Sequence, residues 1–332
     1  MAHLIENNVM TGKAEIAYVG KTPWHGLGQQ LEQDAPIEVW QEQAGLNWKA
    51  ELSPTMFMPI GVDKPIEMSN QHVIHRSDTH QPLGVVTSRY KVHQPDEILG
   101  FFDKLAKSAG FSLEVAGAIN GGKRIWALAN TNKEACVLDD DAVKGYVLLS
   151  TSFDGTKATV GQFTSIRVVC NNTLSAADSE YTPSRVSLTH GSKFCDQTMA
   201  DKLGIITSSF DELMARYDVL AHKDVTSGYV KQFLTKLFPP TMQHVKKQGT
   251  TQLVLADSRS YKKVLELFDG KGIGSELKSA RGTRWGLLNA VTEYVDHQRG
   301  HNADTRINNA WFGNGDRLKT QAEHILMQPW VM

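Results

Sequence analysis

Cysteine is scarce in this sequence, and the few cysteines lie far apart. The chain has three, Cys136, Cys170 and Cys195, and no C-x-x-C pair. An odd number at wide spacing argues against both a disulfide framework and a zinc knuckle. Long apolar runs are also lacking: no stretch approaches the roughly eighteen apolar residues of a membrane span, and the N-terminus does not resemble a signal peptide. We therefore expect a cytoplasmic protein with no membrane partner.

An excess of one charge is absent as well. The chain has 35 basic and 36 acidic residues. Proteins that coat nucleic acid by bulk charge are usually strongly basic, so any nucleic-acid surface here must be a local patch. The glycine-rich residues 269–274 lack the spacing of a P-loop, and no dinucleotide fingerprint occurs. We expect no cofactor.

The chain of 332 residues, 41% of them hydrophobic, is long enough for one large domain or two ordinary ones. Period-2 patterns and turn residues predict strands at 72–76, 83–93, 111–119, 123–129, 143–152, 157–163 and 166–170. Helical periodicity predicts helices at 36–44, 95–109, 210–217, 229–237, 261–268 and 284–297. The fold class is therefore α+β: an antiparallel β-rich N-terminal half with an inserted helix, residues 1–190, and a mainly helical region, residues 191–332, packing on it.

Two predicted strands interleave basic and aromatic residues. Alternation places Arg89, Lys91 and His93 on one face of residues 83–93. The same rule places Arg124 and Trp126 on one face of the next hairpin. Cations hold phosphates and a ring stacks on bases, so such a face suits single-stranded nucleic acid. The alternative is an ordinary half-buried sheet with a solvated basic face.

Residues 167–174 form the most unusual stretch. A strand-like segment runs directly into Asn171 and Asn172, which together with Arg167 suggest an edge that reads phosphates or bases. Alternation predicts a core face of Ile166, Val168 and Cys170, and an outer face of Arg167, Val169 and Asn171. We therefore expect Arg167→Ala to leave the fold nearly intact. The alternative is a strand-to-helix turn with Asn172 or Thr173 as its N-cap.

Residues 293–297 carry ionisable groups at helical spacing. Glu293 and His297 are four residues apart, and Asp296 lies beside them. A carboxylate and an imidazole at this spacing can bind a metal or form an acid–base pair. The alternative is an intrahelical ion pair or hydrogen bond, worth a few tenths of a kcal/mol.

Trp24 and His25 lie in a glycine-flanked loop. One interpretation is a lid or a subunit contact. The other is a tryptophan that fills the core and a histidine that satisfies a backbone group. The sequence leaves both open.

Several segments together resemble the phage/plasmid-like protein family, a domain of unknown function common in prophages and conjugative elements. They include Pro23-Trp24-His25-Gly26-Leu27-Gly28, residues 44–48, Asp154-Gly155, residues 167–174 and residues 289–297. The family carries no settled activity. The resemblance implies a mobile-element setting, in which DNA replication, recombination and evasion of host defence dominate.

Three functional interpretations follow. The first is a non-enzymatic protein that binds or anneals single-stranded DNA, with no metal, through Arg89, Lys91, Arg124, Trp126, Arg167, Asn171 and Asn172. The second is a metal-assisted hydrolase that uses Glu293, Asp296 and His297. The third is a factor that binds a host defence or replication protein. A homo-oligomer is compatible with each.

Overall fold

The structure, a computed structural model, describes residues 12–20, 28–169, 172–175, 185–188, 210–247, 250–256, 258–300 and 303–329. The strands in these residues are β1 (Ile16–Val19), β2 (Gln29–Leu31), β3 (Ala50–Phe57), β4 (Ile66–Arg76), β5 (Pro82–Thr87), β6 (Ser112–Ile119), β7 (Arg124–Val137), β8 (Asp141–Ser152), β9 (Thr159–Arg167), β10 (Asn172–Ser175), β11 (Arg185–Leu188), β12 (Thr241–Lys247) and β13 (Thr250–Ala256).

The helices in the same residues are α1 (Ile37–Gln43), α2 (Pro95–Ala109), α3 (Phe210–Ala221), α4 (Ser227–Leu237), α5 (Arg259–Glu266), α6 (Arg284–Glu293), α7 (Ala303–Phe312) and α8 (Asn314–Met327). A π-helical turn follows α5 at Leu267–Lys271 and another follows α6 at Tyr294–Gln298. None of the described helices has the length and apolar content needed to cross a membrane.

The strands form three sheets. The largest has the order β10-β9-β8-β7-β6-β1-β2, with β11 also paired to β9. A second sheet joins β3, β4 and β5 by antiparallel pairing, and β12 pairs with β13. Strands dominate the N-terminal half and helices the C-terminal half, which confirms the α+β prediction. The boundary predicted near residue 190 lies outside the described residues.

Local signals account for the best-predicted elements. Helix α2 begins at Pro95, where Gln94 and Glu97 form a reciprocal capping box, and it ends at Gly110, which has φ 68°. Hairpin β6–β7 forms around Asn120, Gly121 and Gly122, all with positive φ, as the sequence predicts.

Other elements differ from the sequence prediction. Strand β5 ends at Thr87, so residues 88–93 are turn and coil rather than strand. Strand β9 ends at Arg167, and Val168 and Val169 form a turn. The β12–β13 hairpin lies in the region for which only helices were predicted.

The chain divides into two compact units. The first contains the described residues of 12–133 and 145–164, together with β11. The second contains the described residues of 134–144, 165–175 and 210–329.

A buried ion pair anchors the first unit. Arg76 donates to both carboxylate oxygens of Glu15, at 2.9 and 2.8 Å, and also donates to Asp78. The guanidinium lies 4.7 Å from the centroid of the Trp48 ring, and that ring packs edge-on against Phe153. Arg76 is therefore held by charge and by aromatic contact at once.

An all-round buried helix forms the centre of the second unit. Every residue of α6 is buried, so this helix lacks the polar face of a surface helix. The ring of Trp285 packs 4.6 Å from that of Tyr217, whose hydroxyl lies 3.2 Å from the Ser165 hydroxyl. Helix α3 thus contacts the end of β9, and α6 packs against α3.

The turn between β7 and β8 adopts an unfavourable backbone. Leu138 and Asp139 have φ 46° and 63°, and Asp140 donates its N–H to the Val137 carbonyl. Positive φ at both central positions is typical of a type I′ turn, which usually contains asparagine and glycine. Asp140, the next residue, offsets the free-energy cost of this backbone conformation, because its carboxylate accepts the backbone N–H of Lys278 at 2.7 Å.

Asp139→Gly should stabilise this turn by about 0.5 kcal/mol, because glycine adopts positive φ without a Cβ clash. The matched variant Asp140→Gly should destabilise the protein, since it removes the acceptor for the Lys278 N–H. Thermal unfolding of both variants beside the wild type measures the difference. A lower melting temperature for Asp139→Gly than for Asp140→Gly would contradict this account.

Candidate functional site

Arg167 is a buried structural residue, and the prediction that it lies on an exposed functional edge is wrong. Its side chain is 1% exposed. Its Nε donates to both oxygens of Asp141 at 2.8 Å, and its two terminal nitrogens donate to the carbonyls of Ile273 and Gly274 at 3.0 and 2.9 Å. These contacts bind the end of β9 to the start of β8 and to the loop that precedes α6.

The predicted parity of this strand is wrong at Arg167 and Val168, whereas Val169 is exposed as predicted. Val168, assigned to the core, is 41% exposed, and Val169 is 44% exposed. Because β9 ends at Arg167, the alternation that would have buried Val168 does not continue past that residue. Cys170 and Asn171 lie outside the described residues. Asn172 begins β10, and only its backbone is described.

The Asp141 carboxylate is the centre of the polar cluster in the second unit. Besides Arg167, it accepts the indole N–H of Trp285 at 2.8 Å and the hydroxyl of Ser279 at 3.2 Å. The Asp141 side chain is 0% exposed. The Arg167 Nε–H is shared between the two oxygens, and Oδ2 also accepts from Trp285 and Ser279, so the Asp141 carboxylate is satisfied by three donor groups within the protein.

Glu293 borders a small cavity beside this cluster. Arg167, Asn289 and Gly272 also line the cavity, and the space open to the centre of a water molecule is about 10 Å³. Such a volume has room for about one water. The Glu293 carboxylate accepts the N–H of Ile273 at 2.9 Å. Burial raises the pKa of Glu293 above its usual value, although that hydrogen bond and the charge of Arg167 oppose the shift.

The structure separates the three residues proposed to bind a metal. Glu293 contacts the loop at Ile273, whereas Asp296 pairs with Lys319 at 3.1 Å, both side chains being buried. His297 lies in the π-helical turn Tyr294–Gln298, which alters the predicted α-helical spacing. No group of three or more His, Cys, Asp or Glu side chains in the described residues can hold a metal ion.

The predicted basic and aromatic faces are only partly present. Arg89 and Lys91 are exposed, but they lie in a turn and in coil rather than on one face of a strand, and His93 is buried against Thr159. Arg124 and Trp126 are 8% and 2% exposed, so the expectation of an exposed face on β7 is wrong. A base has no access to the Trp126 ring in this structure.

A different basic surface forms where the end of β8 meets the segments around it. The Tyr90 hydroxyl donates to the Ser152 carbonyl at 2.8 Å, and the Phe153 N–H donates to the Lys123 carbonyl at 2.8 Å. These contacts bring three cation-bearing segments together at the end of β8. We name their cations the basic corner: Arg89, Lys91 and Lys157, which are exposed, Lys123, which is half-buried, and Arg124, which is buried. Lys123 and Lys157 were not predicted as site residues, because they flank turns that only the folded chain brings together.

Asp154 is the acidic residue of the basic corner. Burial raises the pKa of Asp154, but hydrogen bonds from Ser152 and Thr156 and the charge of Arg124 outweigh it, so the pKa lies below its usual value. The carboxylate is therefore charged at neutral pH and offsets one of the cations. Gly84 lies against this turn, where a Cβ would come within 2.5 Å of the Asp154 backbone.

A family model described as "Domain of unknown function (DUF932)" matches residues 82–320. This chain belongs to the DUF932 family. No curated protein and no solved structure matches it. The match to DUF932 includes the basic corner and the Asp141 cluster, and it begins after strands β3 and β4. The Trp24–His25 loop lies outside the described residues.

Arg167→Met should lower the free energy of unfolding of this DUF932 protein by about 3–5 kcal/mol, because it leaves the buried Asp141 carboxylate without its cation. The exposed neighbour provides the control: Val168→Ala should change stability by less than about 0.5 kcal/mol. Chemical denaturation followed by tryptophan fluorescence measures both variants. Wild-type stability in Arg167→Met would refute the structural role.

Glu293→Gln should gain stability relative to wild type as the pH rises from about 4 toward neutrality. A carboxyl with a raised folded-state pKa holds more protons when folded, so wild-type stability falls as the pH rises from the unfolded pKa through the folded one. Glutamine keeps the acceptor for the Ile273 N–H and does not ionise. Melting curves across this range test the idea, with the exposed Glu276→Gln as control, and equal pH profiles would exclude it.

Proposed function

We propose that this protein is an accessory protein of mobile genetic elements that binds single-stranded nucleic acid at the basic corner and catalyses no reaction. The observation that carries the proposal is the gathering of Arg89, Lys91 and Lys157 on the surface beside Lys123 and Arg124. Cations grouped around one turn hold successive phosphates of a strand.

The ring available for a base is Tyr90 rather than Trp126. Tyr90 is half-buried between Arg89 and Lys91, whereas Trp126 is buried. Its hydroxyl is held by the Ser152 carbonyl, which fixes the ring without covering it completely. A fixed ring flanked by two cations matches the stacking platforms of proteins that bind single strands.

The balanced composition fits a surface of this size. With 35 basic and 36 acidic residues, the chain has no general attraction to polyanions, so binding must arise from this local patch. A few phosphate contacts give modest affinity with a clear salt dependence. For a single strand, each contact adds about 0.7 to the magnitude of the slope of log binding constant against log salt concentration. The resemblance to the phage/plasmid-like family supports the mobile-element setting, where single strands arise in replication and recombination.

The hydrolase interpretation finds less support. Glu293 and Asp296 are engaged with Ile273 and Lys319, and the cavity beside Glu293 has room for about one water. The protein-binding interpretation is favoured by a separate observation, the exposed apolar hairpin formed by β3 and β4.

The test is an electrophoretic mobility shift with labelled single-stranded DNA at several salt concentrations. Arg89→Ala/Lys91→Ala should weaken binding and reduce the magnitude of the salt slope by about 1.4, which corresponds to two lost phosphate contacts. Lys231→Ala/Lys262→Ala removes the same charge from exposed positions on α4 and α5 and should bind like wild type. Equal losses in both double variants, or no shift at low salt, would reject the basic corner as a site.

A further inference from the structure

The hairpin of β3 and β4 carries a concentration of exposed apolar side chains. We name residues 55–70 the arm. Its large apolar residues are exposed by 37% to 105%: Met56, Phe57, Met58, Ile60, Val62, Ile66 and Met68. Every position from 60 to 70 is exposed. Isolated exposed apolar residues are ordinary, but a contiguous group of this kind marks an interaction surface.

The arm extends beyond the sheet that supports it. Ala50, Ile74 and Val86 are buried in the three-stranded sheet, and the pairing register then shifts between Pro54 and Met56. Past this irregularity the last paired residues are Met56 with Glu67 and Phe57 with Ile66. A two-stranded ribbon without a third strand is marginally stable in water, so contact with another surface would stabilise the arm.

The charges of the arm argue against a polyanionic partner. Asp63, Lys64 and Glu67 are its ionisable residues, which gives a net charge of −1. Nucleic acid and anionic membranes attract surfaces that are rich in lysine and arginine. An apolar surface bordered by charges of both signs instead fits a protein surface of the same character.

We infer that the arm binds the arm of a second copy of this chain in a two-fold symmetric dimer. In such an interface the same patch contacts itself, so residue i meets residue j of the partner and j meets i. Ile66, which pairs with Phe57, lies between Lys64 and Glu67 in the sequence. A two-fold axis near Ile66 places the Lys64 of each copy against the Glu67 of the other.

The two charged residues are available for this contact. Lys64 and Glu67 are exposed, and neither forms an ion pair with another residue in the part of the chain that the structure describes. The apolar residues supply attraction without direction, and the paired charges would fix the register. The inference is independent of nucleic-acid binding, because the basic corner shares no residue with the arm.

The size of the arm indicates a reversible dimer. A stable interface buries about 800 Å² of each partner, from roughly 20–30 residues. The arm has fewer residues than this, although Leu52 and Val85 extend the exposed apolar surface, at 46% and 53% exposure. We therefore expect concentration-dependent association of the whole chain in the micromolar range rather than an obligate dimer.

Sedimentation velocity across micromolar concentrations provides the test, using the full chain. The wild type should shift from monomer to dimer as its concentration rises. Lys64→Glu and Glu67→Lys should each raise the dimer dissociation constant by about tenfold or more, since each sets like charges against each other twice. Phe57→Ser should do the same, whereas Val219→Ser, at a 41% exposed position on α3, serves as the control and should dimerise normally.

Mixing the two charge variants distinguishes this dimer from any other contact. Lys64→Glu mixed with Glu67→Lys should form a heterodimer, because both cross-contacts then join opposite charges, and the double variant Lys64→Glu/Glu67→Lys should again dimerise. All variants lie at exposed positions, and circular dichroism checks their folding.

A wild type that remains monomeric at high micromolar concentration, or a dimer unaffected by the arm variants, would overturn the inference, as would a monomer that sediments with lipid vesicles. DNA binding by such a monomer would leave the proposed function standing.

Discussion

The requirement to neutralise one buried carboxylate determines the arrangement of the second unit. Asp141 has no access to water, so its charge must be met by donors inside the protein. Arg167, Trp285 and Ser279 provide them, and each belongs to a different segment of the chain. Their positions are therefore mutually fixed. This polar cluster is occupied by its own contacts, and the cavity beside Glu293 has room for about one water.

Periodicity predicted the elements of this fold better than it predicted their surroundings. The capping residues of α2 and the glycines of the β6–β7 turn act locally, so the sequence was sufficient for both. Alternation along 166–170 predicted an exposed Arg167 and a buried Val168, and both predictions were wrong because the strand ends at Arg167. Arg167 is buried because it pairs with Asp141, a carboxylate distant in sequence. The burial of Arg167 therefore could not be predicted from the strand alone.

The predicted basic and aromatic face differs from the basic corner for a similar reason. Alternation predicts an exposed face only for a strand that is solvated on one side, and residues 124–129 of β7 are buried at every position. Arg89 and Lys91 stay exposed because their segment leaves the strand before α2. The Tyr90 hydroxyl on Ser152 and the Gln94 side chain on the Ala50 backbone hold that segment in place. Lys157 is distant from that segment in sequence, and the fold brings both to Ser152.

The arm and the basic corner belong to the same unit, which links the two proposals physically. Under the proposed function, one basic corner would contact few phosphates, so its affinity for a strand would be modest and would decrease rapidly with salt. A dimer through the arms would carry two such corners, and a strand bound at one corner would meet the second at a raised effective concentration. The gain arises only where a strand is long enough to span both corners. The affinity of short oligonucleotides would therefore reflect binding at a single corner. Longer oligonucleotides would bind more tightly by reaching both corners, although neither corner would gain a contact.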